Sequence, residues 1–295
     1  MKADLHIHCS ASFDATESVE TILRLAREKH LDLIAISDHN EIDGALKLEA
    51  KAQETGIETL RGIEIDCFFG RNIVHLLGYG CDLRDPGFTR LKNHYIEELR
   101  RTGRQRLALI EEHYGLKLNE SAIIARAHGR PYTNVEITQE LLETQAHPDL
   151  KPYQTGARSA NPIANFYWDQ LAVGCWGYAE MRLPDWRQVV DYVHRCGGAL
   201  IVAHPMQNLK LDAAAAEELR EGGADGFEVY SSYHDEKGRR FYHEFCRKWG
   251  LAETFGSDFH GATKPNIDLG KTGFDGDCAA MIALLKARIA YWQAR

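Results

Sequence analysis

Ala3-Asp4-Leu5-His6-Ile7-His8, near the start of the chain, has the length and apolar content of one β-strand and ends on two histidines. The pattern recurs, because His39 follows a predicted strand at 33–36 and Glu64 lies in a predicted strand at 59–65. Amphipathic stretches separate these apolar runs, which is typical of alternating β/α units. Since the carboxyl ends of parallel strands meet at one rim of a barrel, we expect these polar side chains to converge.

The composition is that of a globular protein with a sizeable core, with 44% hydrophobic and 26% charged residues among 295. A formal net charge of -8 argues against a surface that tracks long nucleic acid. The chain shows neither a signal-peptide pattern nor an apolar run of the roughly 18 residues that span a bilayer, so we expect a cytoplasmic protein without membrane partners. The seven cysteines form no C-x-x-C pair, which favours reduced thiols over disulfides or a thiolate zinc site.

The order of predicted elements divides the chain. Strands and helices alternate over residues 1–87 and 181–295, which favours one barrel-type α/β domain built from both stretches. Residues 88–180 break this rhythm with a long charged helix, further helical stretches and an aromatic-rich segment. We predict that 88–180 is a mostly helical insertion, or cap, that contributes to substrate binding. Its aromatic tip favours a small satellite core over an aromatic substrate platform. The seven predicted strands are 3–7, 33–36, 59–65, 73–78, 199–203, 226–229 and 254–256.

Nine imidazole and carboxylate side chains lie in these strands or just beyond them. A single such histidine would be satisfied in a core by a backbone carbonyl, but burying the whole set without cations would be costly. The mixed nitrogen and oxygen donors favour hard or borderline divalent ions, and manganese, iron and zinc all fit. Two ions about 3.5 to 4 Å apart can share a hydroxide and clamp both oxygens of a displacement at phosphorus. The nine residues are His6, His8, Asp38, His39, Glu64, His75, His204, Asp258 and His260.

Six motifs, in this order along the chain, resemble those of the PHP (polymerase and histidinol phosphatase) family: His6-Ile7-His8, Ser37-Asp38-His39-Asn40, Gly62-Ile63-Glu64-Ile65, Val74-His75, Ala203-His204-Pro205 and Gly256-Ser257-Asp258-Phe259-His260. The resemblance spans residues 3 to 270. It implies an α/β fold with a distorted seven-stranded (β/α)7 barrel. It also implies a metal-dependent phosphoesterase with two or three divalent ions, Mn²⁺ foremost and Fe²⁺ or Zn²⁺ as alternatives.

The resemblance further implies which residues hold each ion. Asp14 stands where some family members have histidine, and its carboxylate is still a competent ligand. Asp38 would orient a histidine or a metal-bound water without binding metal itself. The implied ligands are His6, His8, Glu64 and Asp258 for one ion, Glu64, His75 and His204 for a second, and Asp14, His39 and His260 for a third.

Three residues outside the ligand set are candidate substrate contacts. Gly129-Arg130-Pro131-Tyr132 resembles a Gly-Arg-Pro/Thr-His segment of family members that act on nucleotides and related phosphates, although Tyr132 replaces the usual histidine. The resemblance implies that Arg130 binds a substrate phosphate in catalysis, and the alternative is a surface arginine beside a turn. His234 would bind substrate or protonate the leaving oxygen, with an exposed loop histidine as the alternative. Lys264 is a further candidate phosphate contact.

The expected function is hydrolysis of a phosphate ester bond of a small nucleotide or sugar phosphate by a metal-bridging hydroxide. The alternatives are a cyclic phosphodiesterase and a 5'-3' exonuclease on short oligonucleotides. Histidinol phosphatase is less favoured, because the segment around Arg130 indicates the nucleotide-type branch. A noncatalytic PHP module is also less favoured, because the ligand set is nearly full. The expected partner is therefore a small phosphorylated substrate.

Overall fold

The computed structural model describes residues 1–52 and 55–295. The chain forms two compact units, of which the first comprises Met1–Lys92 and Leu183–Arg295 and the second Asn93–Arg182. The first unit is thus built from two separated stretches of chain, whereas the second is continuous. No helix in these described ranges is long and apolar enough to cross a membrane.

The first unit contains the strands. They form one sheet of three strands, in chain order, and a second sheet of five. Pairing within the three-stranded sheet is parallel, and so is pairing among the last three strands of the second sheet. The strands found in the described residues are β1 (Ala3–Ile7), β2 (Leu33–Ile36), β3 (Glu58–Thr59), β4 (Gly62–Phe69), β5 (Asn72–Tyr79), β6 (Ala199–Val202), β7 (Gly226–Ser231) and β8 (Ala252–Gly256).

The predicted α/β class is confirmed, but the predicted seven-stranded barrel is not. The described part of the chain has eight strands in two sheets and no closed barrel. One reason is that the strand predicted at 59–65 is divided between β3 and β4, which belong to different sheets. A second reason is the turn at Gly70, where Phe69 pairs with Asn72 and φ is 61°. A turn this short joins antiparallel strands, and β5 is antiparallel to β4. It is antiparallel to β6 as well.

Single backbone bridges connect the three-stranded sheet to the two edge strands of the five-stranded sheet, β4 and β8. Ile7 in β1 bridges to Phe259, just beyond β8, and His39, just beyond β2, bridges to Glu64 in β4. The N–H of His8 donates to the carbonyl of Phe259 at 2.9 Å. The ends of β1, β2 and β8 therefore lie close to β4, and the polar residues that follow these strands share one region.

The helices of the first unit bury one apolar face each. In the first of them, Val19, Ile22 and Ala26 are buried at helical spacing, and Ser18 caps the start by accepting the N–H of Thr21 at 3.1 Å. The helices of the described residues are α1 (Val19–Glu28), α2 (Asp43–Ala52), α3 (Pro86–Tyr114), α4 (Glu120–Arg126), α5 (Asn134–Thr144), α6 (Lys151–Gln154), α7 (Pro162–Phe166), α8 (Trp186–Arg195), α9 (Pro205–Asn208), α10 (Ala213–Glu221), α11 (Glu236–Trp249) and α12 (Ala279–Gln293).

The second unit is mostly helical and has its own apolar core. Ile110 from α3 and Ile137 from α5 are fully buried there, together with Phe166 from α7. Helix α5 begins with a capping box, in which Thr133 and Glu136 each bond to the backbone of the other. A π-helical turn, Tyr167–Leu171, follows α7.

Candidate metal centre

Four ligand atoms converge beyond the end of β1. His6 and His8 are two residues apart, so their side chains leave the same face of the chain. His6 Nε2 lies 3.1 Å from Glu64 Oε2 and 3.3 Å from Asp258 Oδ1. His8 Nε2 lies 3.1 Å from each of the same two oxygens. All four side chains are buried, and none of these four atoms has a hydrogen-bond partner among the described residues.

These four atoms fit a cation. Buried polar atoms are nearly always hydrogen-bonded, so four unbonded ones that face each other at 3.1–3.3 Å call for a common partner. Two imidazoles and two carboxylates make a mixed nitrogen and oxygen donor set, which suits a divalent ion such as manganese, iron or zinc. The same four residues form one of three groups of described residues whose ligand atoms are close enough to hold a metal ion.

Glu64, in β4, faces histidines on both sides of its carboxylate. Its Oε1 lies 3.1 Å from His75 Nδ1 and 3.0 Å from His204 Nε2, while Oε2 lies 3.3 Å from His39 Nδ1. Burial opposes the charged form, but His39, His6 and His75 outweigh it and hold the pKa of the Glu64 carboxyl well below its usual range. One carboxylate with both oxygens engaged in this way suits two neighbouring ions.

A third group combines His8, Asp14, His39 and His260. Asp14 Oδ2 lies 3.1 Å from His260 Nε2 and 3.7 Å from His39 Nε2. The ring of His8 stacks on those of His260 and His39, with centroids 4.1 and 4.5 Å apart. The structure therefore brings together all nine residues of the predicted ligand set. Their assignment as metal ligands stays a proposal.

Unusual backbone conformations occur at this centre. His204 has a φ of 24° and Asp258 a φ of 59°, both in the left-handed region that side chains rarely adopt. Asp258 is held there by its N–H, which donates to the carbonyl of His6 at 2.8 Å. Backbone strain of this kind concentrates at functional sites, where the surrounding structure keeps it in place.

Two buried carboxylates at the centre were not predicted from the sequence. Glu228, in β7, accepts from His6 Nδ1 at 3.1 Å and from the backbone N–H of His204 at 2.8 Å. Asp66, in β4, accepts from His39 Nδ1 at 2.9 Å. A carboxylate on the second ring nitrogen sets the tautomer and the orientation of a metal-binding imidazole. The only local signal was an acid inside an apolar strand, two residues after Glu64 in the case of Asp66.

Asp38, predicted to orient a histidine or a metal-bound water, bonds to Cys9 in this structure. Its carboxylate accepts from the backbone N–H of Cys9 at 2.7 Å and from the thiol of Cys9 at 3.0 Å, and it orients no histidine among the described residues. Burial raises the pKa of Asp38 to about 7. This residue therefore fastens the loop after His8 to the end of β2.

His234 was predicted to bind substrate or to protonate the leaving oxygen. His234 is buried, its Nδ1–H donates to the carbonyl of Val229 at 2.8 Å, and its Nε2 accepts from the N–H of Met206 at 3.3 Å. Both ring nitrogens are occupied by backbone groups, so neither is left for a substrate or a leaving oxygen in this conformation. Burial also lowers the pKa of the His234 imidazole.

Lys264 lies beside the centre. Its Nζ is 2.7 Å from Asp258 Oδ2 and 2.9 Å from the hydroxyl of Tyr233, and its side chain is 35% exposed. Burial disfavours its charge, but Asp258 outweighs this and raises the pKa of the ammonium group. Arg130 belongs to the second unit, in the turn after α4, where its Nε–H donates to the carbonyl of Ala127 at 3.4 Å. Its predicted contact with a substrate phosphate stays a prediction.

Comparisons with known proteins agree with this geometry. The model of the PHP domain family matches residues 4–154. The chain is 25% identical over 282 residues to a 3',5'-nucleoside bisphosphate phosphatase of Chromobacterium violaceum, covering 91% of this chain and 90% of that protein. It is 26% identical over 262 residues to a 5'-3' exoribonuclease of Haemophilus influenzae, covering 88% and 90%. A solved structure from Bifidobacterium adolescentis, classed as a metal-dependent phosphoesterase, shares the fold with a TM-score of 0.78 at 22% identity, covering 97% of this chain and 96% of that one.

Proposed function

Since this chain belongs to the PHP domain family and is a metal-dependent phosphoesterase of that type, we propose that it hydrolyses phosphate monoesters of a small nucleotide or sugar phosphate. The observation that carries the proposal is the convergence of four buried, unbonded ligand atoms from His6, His8, Glu64 and Asp258. The similarity to a nucleoside bisphosphate phosphatase over nine-tenths of the chain supports a small nucleotide as substrate.

In this proposal His6, His8, Glu64 and Asp258 would hold one ion, and Glu64, His75 and His204 would hold a second. Bound divalent ions would supply a hydroxide at neutral pH and positive charge for the phosphoryl oxygens. The buried acids Glu228 and Asp66 are not assigned as ligands in this scheme, because they bond to Nδ1 of His6 and of His39, whose Nε2 atoms face other candidate ligands.

Lys264 is the side chain of this chain best placed to bind a substrate oxygen. An ammonium group has three donors, and Asp258 and Tyr233 take two of them. The third donor, on a side chain that is partly exposed, can bind a phosphoryl oxygen beside the centre. Arg130 would add a guanidinium fork for a substrate phosphate. We assign no part in proton transfer to His234, because its ring nitrogens bond to the backbone.

A second candidate is 5'-3' exoribonuclease activity on short oligonucleotides, which the relative from Haemophilus influenzae supports. The same metal ligands serve a phosphomonoester and a phosphodiester, because both reactions displace an oxygen at phosphorus. The two functions differ in the product, which is inorganic phosphate in the first case and a mononucleotide in the second.

Purified protein loaded in turn with Mn²⁺, Fe²⁺ and Zn²⁺ would test both candidates. The substrates are nucleoside mono- and bisphosphates, sugar phosphates, cyclic phosphates and short 5'-phosphorylated oligonucleotides. We expect metal-dependent phosphate release from a nucleotide, and none from the His8→Ala variant. Release of mononucleotides instead would favour the exonuclease. The proposal is wrong if no substrate yields either product, or if His8→Ala retains full activity.

A further inference from the structure

Arg106, in α3 of the second unit, is a buried cation without a counter-ion. Only 6% of the residue is exposed. Its one hydrogen bond among the described residues runs from Nη2 to the carbonyl of Ala179 at a long 3.5 Å, and the buried Nε–H has no partner there. Burial lowers the pKa of this guanidinium, but arginine keeps its charge in proteins. The second unit thus encloses a positive charge that no carboxylate of the described residues neutralises.

Other arginines of the same unit have a carboxylate partner, although Arg126 shares the buried Nε–H that is unbonded within the described ranges. Arg101, Arg126 and Arg158 are each more exposed than Arg106, and each forms an ion pair with a carboxylate at 2.6–3.2 Å. A buried charge without a partner is costly, whereas an exposed one is not. The cation–ring contacts of the described residues also involve other side chains, so stacking on an aromatic ring does not account for Arg106.

Arg106 interacts electrostatically with three tyrosines. Its electrostatic neighbours are the hydroxyls of Tyr95, Tyr167 and Tyr178. The hydroxyl of Tyr178 makes no hydrogen bond within the described ranges, and this side chain is partly exposed. Tyr178 directly precedes Ala179, whose carbonyl Arg106 contacts. The guanidinium fork and the phenolic O–H can therefore both donate to an oxyanion. Carboxylates and phosphates both match the planar fork of arginine, and phosphate is the group that every substrate of a phosphoesterase carries.

We propose that Arg106 and Tyr178 form an oxyanion site within the second unit, which binds a phosphoryl group of a nucleotide or of a short oligonucleotide. The anion supplies the counter-charge that the guanidinium lacks. The site uses none of the nine candidate metal ligands, and it does not depend on the proposed hydrolysis. Inorganic phosphate is the simplest probe of it.

The test is calorimetric titration of the full chain with inorganic phosphate, with bound metal and again after chelation. Binding that needs the metal ions is lost on chelation, so the proposed site is the part of the chelation-resistant binding that depends on Arg106. We expect Arg106→Met to weaken this component by about tenfold or more. The matched control is Arg158→Met, which removes an arginine of the same unit that is already paired with Asp169, and which leaves the affinity unchanged. Absence of any chelator-resistant binding, or equal affinity in Arg106→Met, overturns the proposal.

Thermal unfolding distinguishes an anion-binding role of Arg106 from a structural one. Replacing a buried charge that lacks a partner by a methionine of similar volume is neutral or stabilising. Without phosphate, Arg106→Met should therefore unfold at the wild-type temperature or above it, and added phosphate should no longer raise that temperature. A lower unfolding temperature, together with an unchanged phosphate effect, would show that Arg106 is structural. If Arg106→Met does not fold, Arg106→Lys decides, because it keeps the charge but loses the fork. Weaker binding then supports the site, and unchanged binding overturns it.

Two further ligands identify the source of the phosphoryl group. An Arg106-dependent affinity for adenosine 3',5'-bisphosphate, but not for the dinucleoside monophosphate ApA, indicates a terminal phosphate. The same dependence with ApA indicates the backbone of an oligonucleotide. If the affinity for none of the three ligands depends on Arg106, no oxyanion site exists there.

Discussion

Glu228→Gln tests whether a carboxylate outside the ligand set controls metal binding. Glu228 is fully buried and uses both oxygens, one toward His6 Nδ1 at 3.1 Å and one toward the N–H of His204 at 2.8 Å. Glutamine has the same shape but only one oxygen. Its amide N–H₂ must therefore face either the imidazole N–H or the backbone N–H, and one buried donor loses its acceptor.

The expected size of the effect follows from these contacts. Leaving one buried donor unsatisfied costs about 1 to 3 kcal/mol. Losing a carboxylate that orients a metal-binding histidine typically weakens metal affinity about 10- to 100-fold, which corresponds to about 1.4 to 2.8 kcal/mol. We expect the Kd for Mn²⁺ to rise by that factor. We also expect kcat to recover at saturating metal, because Glu228→Gln removes no substrate contact.

The assay is calorimetric titration of the metal-free protein with Mn²⁺, combined with phosphate release at limiting and saturating metal. The matched control is Glu253→Gln in β8, where the carboxylate accepts from His243 Nδ1 at 2.8 Å, outside the metal centre. An unchanged Kd for Mn²⁺ in folded Glu228→Gln would refute the positioning of His6 by Glu228. A kcat that stays low at saturating metal would show that Glu228 acts on the reaction itself.

Three further changes address the centre and the second unit. His8→Ala should lose bound metal, as measured by metal analysis. Its turnover, measured as phosphate release, should fall by more than the roughly 100-fold that is typical when a hydrogen-bond partner of a metal ligand is lost. Lys264→Met removes a donor next to Asp258, so KM for the substrate should rise more than kcat falls in steady-state kinetics. A hydrogen bond from Arg101 is the main cause that lowers the pKa of the Glu98 carboxyl to about 2. Its contribution to stability is therefore present above the unfolded pKa of about 4.3 and lost as the pH falls toward 2. Urea denaturation should show Glu98→Gln less stable than wild type at pH 7, with a gap that closes in that acidic range.

Each of these changes has a control of the same residue type. His147→Ala removes a half-exposed histidine of the second unit and should leave metal content intact. Lys271→Met removes an exposed lysine and should leave KM unchanged. Glu97→Gln, next in sequence to Glu98 but exposed, is the control for losing one carboxylate from the same helix. Normal metal content in His8→Ala, an unchanged KM in Lys264→Met, or a constant gap for Glu98→Gln would contradict the respective prediction.

The parts of the fold that depend on local pattern were predictable. The predicted bounds of β1 and β2 match the structure, because a short apolar run bordered by polar residues is a local signal. The direction of β5 is not encoded in its apolar content, and only the two-residue turn at Gly70 reveals it. The pattern of β/α units therefore predicts a parallel strand where the structure has the second strand of an antiparallel hairpin.

In the candidate site, too, the features with a local sequence signal were predictable, and those that depend on the fold were not. Histidines at strand ends stand out along the chain, and the structure brings them together. Glu228 was missed because its importance lies in a contact with His6, 222 positions away in the chain. The surroundings of His234 were likewise not predictable, since only the folded backbone shows that Val229 and Met206 bond to its ring nitrogens.

The second unit is inserted into the sequence of the first, which affects the order in which the two units are completed during synthesis. The candidate ligands from His6 to His75 precede the second unit, and those from His204 to His260 follow it. Chains leave the ribosome from the N-terminus, and domains tend to fold as they emerge. The second unit, with its own core, is complete at Arg182, whereas the metal centre lacks a third of its donors until residue 260 has been added. The full set of candidate ligands therefore exists only after residue 260 has been added, and a chain truncated before His260 would combine a complete second unit with an incomplete ligand set.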